Sequence, residues 1–216
     1  MANGKLLVVA GRTRMGKSAL TSLLIAKEKR VLIYDPKCHP DDYPGIEAIN
    51  DIDLFYESLM ESKGGPVKLR LMDERRKYFD MFSFIALAAA KDKVPCTAIA
   101  DELSTVTSPG KAPDGWHSLC SQALGFGGSI IAITQRPAES DKTCFSNATG
   151  LIAFHMKKVR DRQSMADEMD IDRALIDNLK PLEAYSQIDG EPLHKIKIII
   201  SNGKLKNIKK VPALKK

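Results

Sequence analysis

The sequence predicts an α/β protein with a mainly parallel central sheet flanked by helices, and three observations carry that prediction. Short apolar runs alternate with helix-length patterns along the chain, as βα repeats do. Several runs, "SIIAIT" and "GLIAFH" among them, are apolar at almost every position, which suits central parallel strands buried on both faces. The first run, "KLLVVA", leads into "GRTRMGKS" and then "ALTSLLIA": a strand, a glycine-bounded loop and a helix.

Strands are expected at residues 5–10, 31–35 ("VLIYD"), 67–72 ("VKLRLM"), 96–101 ("CTAIAD"), 129–134 and 150–155. Between them the pattern predicts helices over about 17–28, 51–62, 74–91, 116–124 and 160–169. The helix at 74–91 is apolar on nearly every side in its second half, so deep packing is expected there. Residues 103–116, "LSTVTSPGKAPDGW", read as the one long loop because Pro, Gly, Ser and Thr argue against regular structure. Towards the end, "EAYSQID" and "KIKIIIS" read as a β-hairpin turning at "GEP". No repeat or linker is visible. The expectation is one domain over 1–216, with a core of about 5–175 and a C-terminal hairpin and basic tail over about 182–216.

At 216 residues, with 44% hydrophobic and 28% charged content, the chain can bury a sizeable core without staples. "MFSFIALAAA", the longest uncharged apolar stretch, is too short to span a bilayer, and the N-terminus has no signal-peptide pattern. A cytoplasmic protein with no integral membrane segment is expected. Cys38, Cys96, Cys120 and Cys144 are widely spaced and form no CxxC or CxxH pairing, so packed, reduced thiols are expected rather than a metal site or disulfides. The formal net charge is +6, and much of the excess lies in "KIKIIISNGKLKNIKKVPALKK". Such a tail attracts phosphate backbones, although many basic tails bind no nucleic acid.

The chemistry begins at residues 11–18, a complete G-x-x-x-x-G-K-S phosphate-binding (Walker A) pattern. Gly11, Arg12, Thr13, Arg14, Met15 and Gly16 form a loop whose backbone N–H groups can face phosphate oxygens. Lys17 supplies a positive charge to the β and γ phosphates, and Ser18 offers a hydroxyl to Mg²⁺. The helix starting at Lys17 adds its positive dipole end. These features point to ATP with Mg²⁺ as cofactors. In "CTAIADELS" an apolar strand ends in Asp101, which can hold Mg²⁺ through water, while Glu102 can polarise the water that attacks the γ-phosphate. That adjacent glutamate favours an ATPase over a kinase, which must keep water out. In "SIIAITQRP" another buried strand ends at Thr134-Gln135, placing a neutral amide where it can bond the γ-phosphate or the attacking water.

In "GRTRMGKS", "VLIYDPK", "AIADELS" and "TQRP" the chain resembles the FtsK/HerA branch of P-loop ATPases over about residues 5–175. The resemblance implies a RecA-like sheet in which the strand ending at Gln135 lies between the phosphate-loop strand and the Asp101 strand. It implies a homo-oligomeric ring, commonly a hexamer, with ATP at subunit interfaces and an arginine donated across them. Arg162 matches that position best and Arg160 second, with Arg136 and the pair Arg75-Arg76 as further candidates. Asp35 in "YDPK" matches a position near the nucleotide in relatives, as a structural cap or a functional group. The match is to the motor core, and the extra domains of cellular members are not expected. In this it is most similar to the small genome-packaging ATPases of membrane-containing icosahedral viruses with double-stranded DNA. The implied partners are double-stranded DNA and a capsid vertex or viral membrane proteins, in the host cytoplasm or at the virion vertex. The loop with Lys111 and the basic tail are the candidate DNA contacts. Alternatives are another DNA-pumping or phage-assembly ATPase of the branch, a nucleotide or small-molecule kinase, and a nucleotide-binding module that does not hydrolyse.

Overall fold

The computed structural model describes residues 4–92, 94–201 and 204–212. The chain enters at β1 (Leu6–Ala10) and turns through the glycine loop into α1 (Lys17–Ile25). Then come β2 (Arg30–Asp35), the short β3 (Glu47–Ile49), α2 (Ile52–Glu61) and β4 (Val67–Met72). α3 (Arg76–Ala90) leads to β5 (Thr97–Ala100), a single helical turn α4 (Leu103–Val106) and α5 (Asp114–Gln122). β6 (Ser129–Thr134), α6 (Thr143–Ser146), β7 (Gly150–Phe154), α7 (Val159–Glu168) and α8 (Arg173–Asp177) complete the alternation. β8 (Glu183–Ile188), β9 (His194–Ser201) and β10 (Lys204–Pro212) follow as an antiparallel set.

All ten strands join one sheet in the order β10-β9-β8-β7-β1-β6-β5-β2-β4-β3. From β7 to β3 every pairing is parallel, so the C-terminal tips of β1, β5 and β6 share one edge. β6 sits between β1 and β5, pairing Ala10 with Thr134 on one side and Ala100 with Ala132 on the other. That is the order the resemblance implies. Crossovers over helices make it possible, because parallel neighbours cannot be joined by tight turns.

Side chains alternate across the sheet, and the two faces are packed unequally. Val8, Tyr34, Leu69, Ala98 and Ile130 point into a large core with Phe55, Phe79, Phe82, Trp116 and Met165 of α2, α3, α5 and α7. Val9, Ile33, Ile99, Ile131 and Ile152 face a smaller core closed by Leu20 of α1 together with Ile196, Ile198 and Ile208 of the last two strands. Burying each such aliphatic side chain contributes about 1.5–3 kcal/mol. The second half of α3 is packed as expected, with Ala86, Leu87, Ala89 and Ala90 buried. Cys96, Cys120 and Cys144 are buried, and Cys38 is exposed in a loop.

The structure corrects the reading of residues 103–116 as one loop. Leu103 and Val106 are buried on α4, and Trp116 is buried on α5 with its indole N–H donating to Asp141 Oδ2 at 2.9 Å. The Pro-Gly punctuation governs only the irregular stretch 107–113. The first helix also ends earlier than expected, at Ile25, with the chain turning so that Arg30 can enter the sheet. The hairpin is present as β8 and β9, and the basic tail beyond it continues as edge strand β10. Lysines on an edge strand hinder pairing with further chains.

Candidate nucleotide site

Residues 11–18 lie across the C-terminal tip of β1, tied on both sides. Gly11 N–H donates to Thr134 O at 3.1 Å and Arg12 N–H to His155 O at 3.0 Å. A Cβ on Gly11 would stand 2.6 Å from Phe154 Cβ, so only glycine allows this approach. Gly16 has φ +116, a left-handed turn that delivers Lys17 into the first turn of α1. Leu182, just before β8, donates its N–H to Met15 O at 2.9 Å, so the C-terminal segment walls the loop. Among the described residues the N–H groups of Thr13, Arg14, Met15, Gly16 and Lys17 have no protein acceptor. The Lys17 ammonium folds back onto Gly11 O at 2.6 Å and Arg12 O at 3.2 Å. Burial lowers its pKa to about 8, with Glu102 and Asp101 pulling the other way.

Asp101 and Glu102 follow directly on β5, and both are buried. Glu102 holds φ +52, a left-handed conformation that costs a residue with a Cβ about 1–2 kcal/mol. Its carboxylate accepts from Gln135 N at 2.9 Å, Gln135 Nε2 at 2.6 Å and Ser104 Oγ at 3.0 Å. Gln135 accepts in turn from Thr13 Oγ1 at 2.9 Å. One amide therefore joins the phosphate-binding loop to the glutamate. Thr13, Arg14, Gly16, Lys17, Ser18, Lys37, Asp42 and Gln135 line a single cleft of about 390 Å³.

Lys37, Tyr43 and Arg70 are site residues that the sequence reading did not single out. Lys37 Nζ lies 3.1 Å from both Asp101 oxygens and 3.9 Å from Glu102 Oε2. Burial opposes its charge, but Asp101 and Glu102 prevail and raise its pKa. Tyr43 OH donates to Asp101 Oδ2 at 3.1 Å, and burial and the carboxylate keep that phenol protonated. Burial also raises the Asp101 pKa, with Lys37 acting against it. Asp35 is fully buried and spends its carboxylate on Arg70 Nε at 3.0 Å and on Lys37 N–H at 2.9 Å. Arg70 also donates to the carbonyls of His39 and Asp42. The pair thus shapes the loop after β2 that carries Lys37 and Tyr43. Lys37 stood in the "YDPK" signature; Tyr43 and Arg70 had no sequence signal.

The arginine candidates separate by environment. Arg162 is mostly buried, pairs with Asp177, and donates to Met156 O at 2.7 Å and Lys157 O at 2.9 Å. Arg136 bonds Asp161 Oδ2 at 2.8 Å and pairs with Glu139, and Arg75 pairs with Asp73. Arg160 and Arg76 are exposed and make no ion pair among the described residues. Lys111 is 86% exposed and pairs with Asp114 at 3.2 Å, and it does not line the nucleotide cleft.

The donor set suits a triphosphate with Mg²⁺. The unpaired N–H groups of the loop match phosphate oxygens, and Ser18 with Asp101 offers the all-oxygen ligands Mg²⁺ takes. Among the described residues no group of three or more His, Cys, Asp or Glu could hold a metal alone. Sites that rely on substrate phosphates need only one or two carboxylates.

No family model matches the chain. Protein P9 of Pseudoalteromonas phage PM2 is 27% identical over 175 residues, covering 80% of this chain and 78% of that protein. The genome packaging NTPase B204 of Sulfolobus turreted icosahedral virus 2, in complex with AMPPCP, superposes with TM-score 0.73 at 16% identity, covering 93% of this chain and 100% of that one. The cytoplasmic domain of the type VII secretion ATPase EccC of Thermomonospora curvata matches with TM-score 0.55 and 13% identity, over 94% of this chain and 26% of that one. The chain thus has the P-loop NTPase fold of the viral packaging NTPase B204 and is a sequence homologue of Protein P9 of phage PM2.

Proposed function

We propose that this chain is an ATP-hydrolysing DNA translocase that packages a double-stranded DNA viral genome into a preformed capsid. The single observation that carries the ATPase reading is Gln135, bonded at once to Thr13 of the phosphate loop and to Glu102. The packaging reading is supported by the likeness to B204, a genome packaging NTPase. No described helix is long and apolar enough to cross a membrane. In this reading the motor docks at a capsid vertex or works in the host cytoplasm.

In this reading the N–H groups from Thr13 to Lys17 take the β and γ phosphate oxygens, and Lys17 exchanges the carbonyls of Gly11 and Arg12 for the phosphates. Ser18 and Asp101 would hold Mg²⁺, which would neutralise charge on the phosphate oxygens. Glu102 takes a proton from the attacking water, and its left-handed backbone aims the carboxylate from the strand tip into the site. Gln135 reports phosphate occupancy, because a phosphate on Thr13 competes for the hydroxyl that Gln135 now accepts from. The sites lie between subunits of a ring, probed by an arginine of the neighbouring copy.

The test is the ATPase rate measured with and without double-stranded DNA across a range of protein concentrations. Stimulation by DNA with a steep concentration dependence is expected. A rate indifferent to both, or phosphate transferred to a nucleoside, overturns the motor reading.

A further inference from the structure

We infer that Lys37 is the resident counter-ion of the metal position, standing in for Mg²⁺ until the cation arrives with the nucleotide. The inference rests on the ATPase reading only for the identity of the metal. Its geometry stands by itself.

Lys37 Nζ is placed evenly, 3.1 Å from each oxygen of Asp101, and reaches Glu102 Oε2 at 3.9 Å. A cation drawn by these two carboxylates meets a charge already in place, and two cations cannot share the position without strong repulsion at low dielectric. Tyr43 OH holds Asp101 Oδ2 from another direction, so the carboxylate stays aimed while its counter-ion changes. The backbone of Lys37 is fixed through Asp35 and Arg70, but its side chain remains 32% exposed and lines the same cleft as Lys17, Ser18 and Gln135. It can therefore leave Asp101 for the cleft without refolding of the loop.

The charges give this arrangement a purpose. Asp101 and Glu102 are balanced by Lys17 and Lys37, so the nucleotide-free site has little net attraction for a bare divalent ion. A triphosphate brings the negative charge that both draws Lys37 off Asp101 and carries the metal in. Lys37 thereby makes metal entry depend on nucleotide entry, and it is a positioning residue, since it acts through Asp101.

The test uses Mn²⁺ as the probe, followed by electron paramagnetic resonance on the full chain without nucleotide. Lys37→Met should bind Mn²⁺ roughly tenfold or more tightly than the native chain, because Asp101 and Glu102 lose their cation. Lys37→Arg should bind it as weakly as the native chain, and Asp101→Asn added to Lys37→Met should abolish the gain. Equal Mn²⁺ binding by the native chain and Lys37→Met, with both folded by circular dichroism, overturns the inference. A native chain that fails to bind ATP in Mg²⁺ would instead remove the nucleotide reading, leaving the Mn²⁺ comparison to decide Lys37 by itself.

Discussion

Gln135 grips Glu102 twice, through its backbone N–H at 2.9 Å and its side-chain amide at 2.6 Å. The two residues come from strands adjacent in the sheet but 33 positions apart in the chain. With its other amide atom on Thr13, Gln135 is placed to move when the phosphate loop fills. The hydrogen bonds from Gln135 to the glutamate thus come from a neutral amide that can release it, while Lys37 stands further off, 3.9 Å from Oε2.

Removing that grip should slow chemistry and leave binding intact. For Gln135→Ala we expect kcat to fall roughly 10²-fold with KM little changed, the pattern of an interaction made in the transition state. Steady-state phosphate release checks this. A raised KM at unchanged kcat would mean that Gln135 only holds the ground state.

Glu102→Gln keeps the shape of the side chain and an oxygen able to accept from Gln135 N–H and Ser104, so the fold should persist. Turnover should drop about 10²- to 10⁴-fold, the usual worth of a positioned base. Binding of a fluorescent ATP analogue in Mg²⁺ should survive. Unchanged turnover would remove Glu102 as the base.

The pH dependence of binding follows from Lys17. Its pKa in the nucleotide-free protein is lowered to about 8 by burial, and a bound phosphate must raise it by favouring the charged form. Above about pH 8 the free site therefore loses the charge, and binding has to take up a proton. Affinity should fall as pH rises past about 8, approaching tenfold per unit. Lys37, whose pKa is raised by its carboxylates, stays charged over that range and adds no competing slope. Calorimetry in buffers of different ionisation enthalpy reads the proton uptake directly; an affinity flat from pH 7 to 10 would contradict the assignment.

The buried pair Asp35–Arg70 is a stability element beneath the site. Arg70→Met leaves the buried Asp35 carboxyl without its partner in the core, which should cost about 3–5 kcal/mol in urea unfolding. The double variant Asp35→Asn with Arg70→Met should recover part of that loss. Full additivity of the two single losses would show that the pair does not interact as drawn.

What could be read from the sequence was what repeats locally. The strands ending at Asp101 and Gln135 announced themselves because buried parallel strands are apolar throughout, and the glycine loop because its spacing is fixed by phosphate geometry. Their side-by-side order came from the family resemblance, and the pairing of Ala10 with Thr134 agrees with it. Edge strands were harder. β10 alternates Leu205 and Ile208 with lysines and a bulge, so its inward face is too sparse to show a period of two. Arg70 read as an ordinary charge on a strand, since nothing local marks a guanidinium that pairs with Asp35 across 35 positions. Residues 103–116 misled because Pro109 and Gly110 dominate the composition, while Leu103 and Trp116 at its ends belong to buried helices.

The arginine donated between subunits is the point where family matching and local structure pull apart. Arg162 matches the relatives' position best, yet its guanidinium already closes the start of α7 onto Met156 O and Lys157 O and pairs with Asp177. Losing charge-assisted bonds of this kind costs roughly 1.5–3 kcal/mol each, so Arg162→Ala should lower the melting temperature as well as activity. Arg160 is exposed on the first turn of the same helix, with no ion pair among the described residues to hold it back. Arg160→Ala should therefore leave the melting temperature unchanged. In mixtures with native subunits it should reduce turnover more steeply than dilution, because one missing finger disables a neighbour's site and is worth about 10³–10⁵ in rate where such fingers act. Proportional loss for Arg160→Ala, with a steeper loss for Arg162→Ala at full stability, would return the role to Arg162 and require its contacts to Asp177 to open when subunits meet.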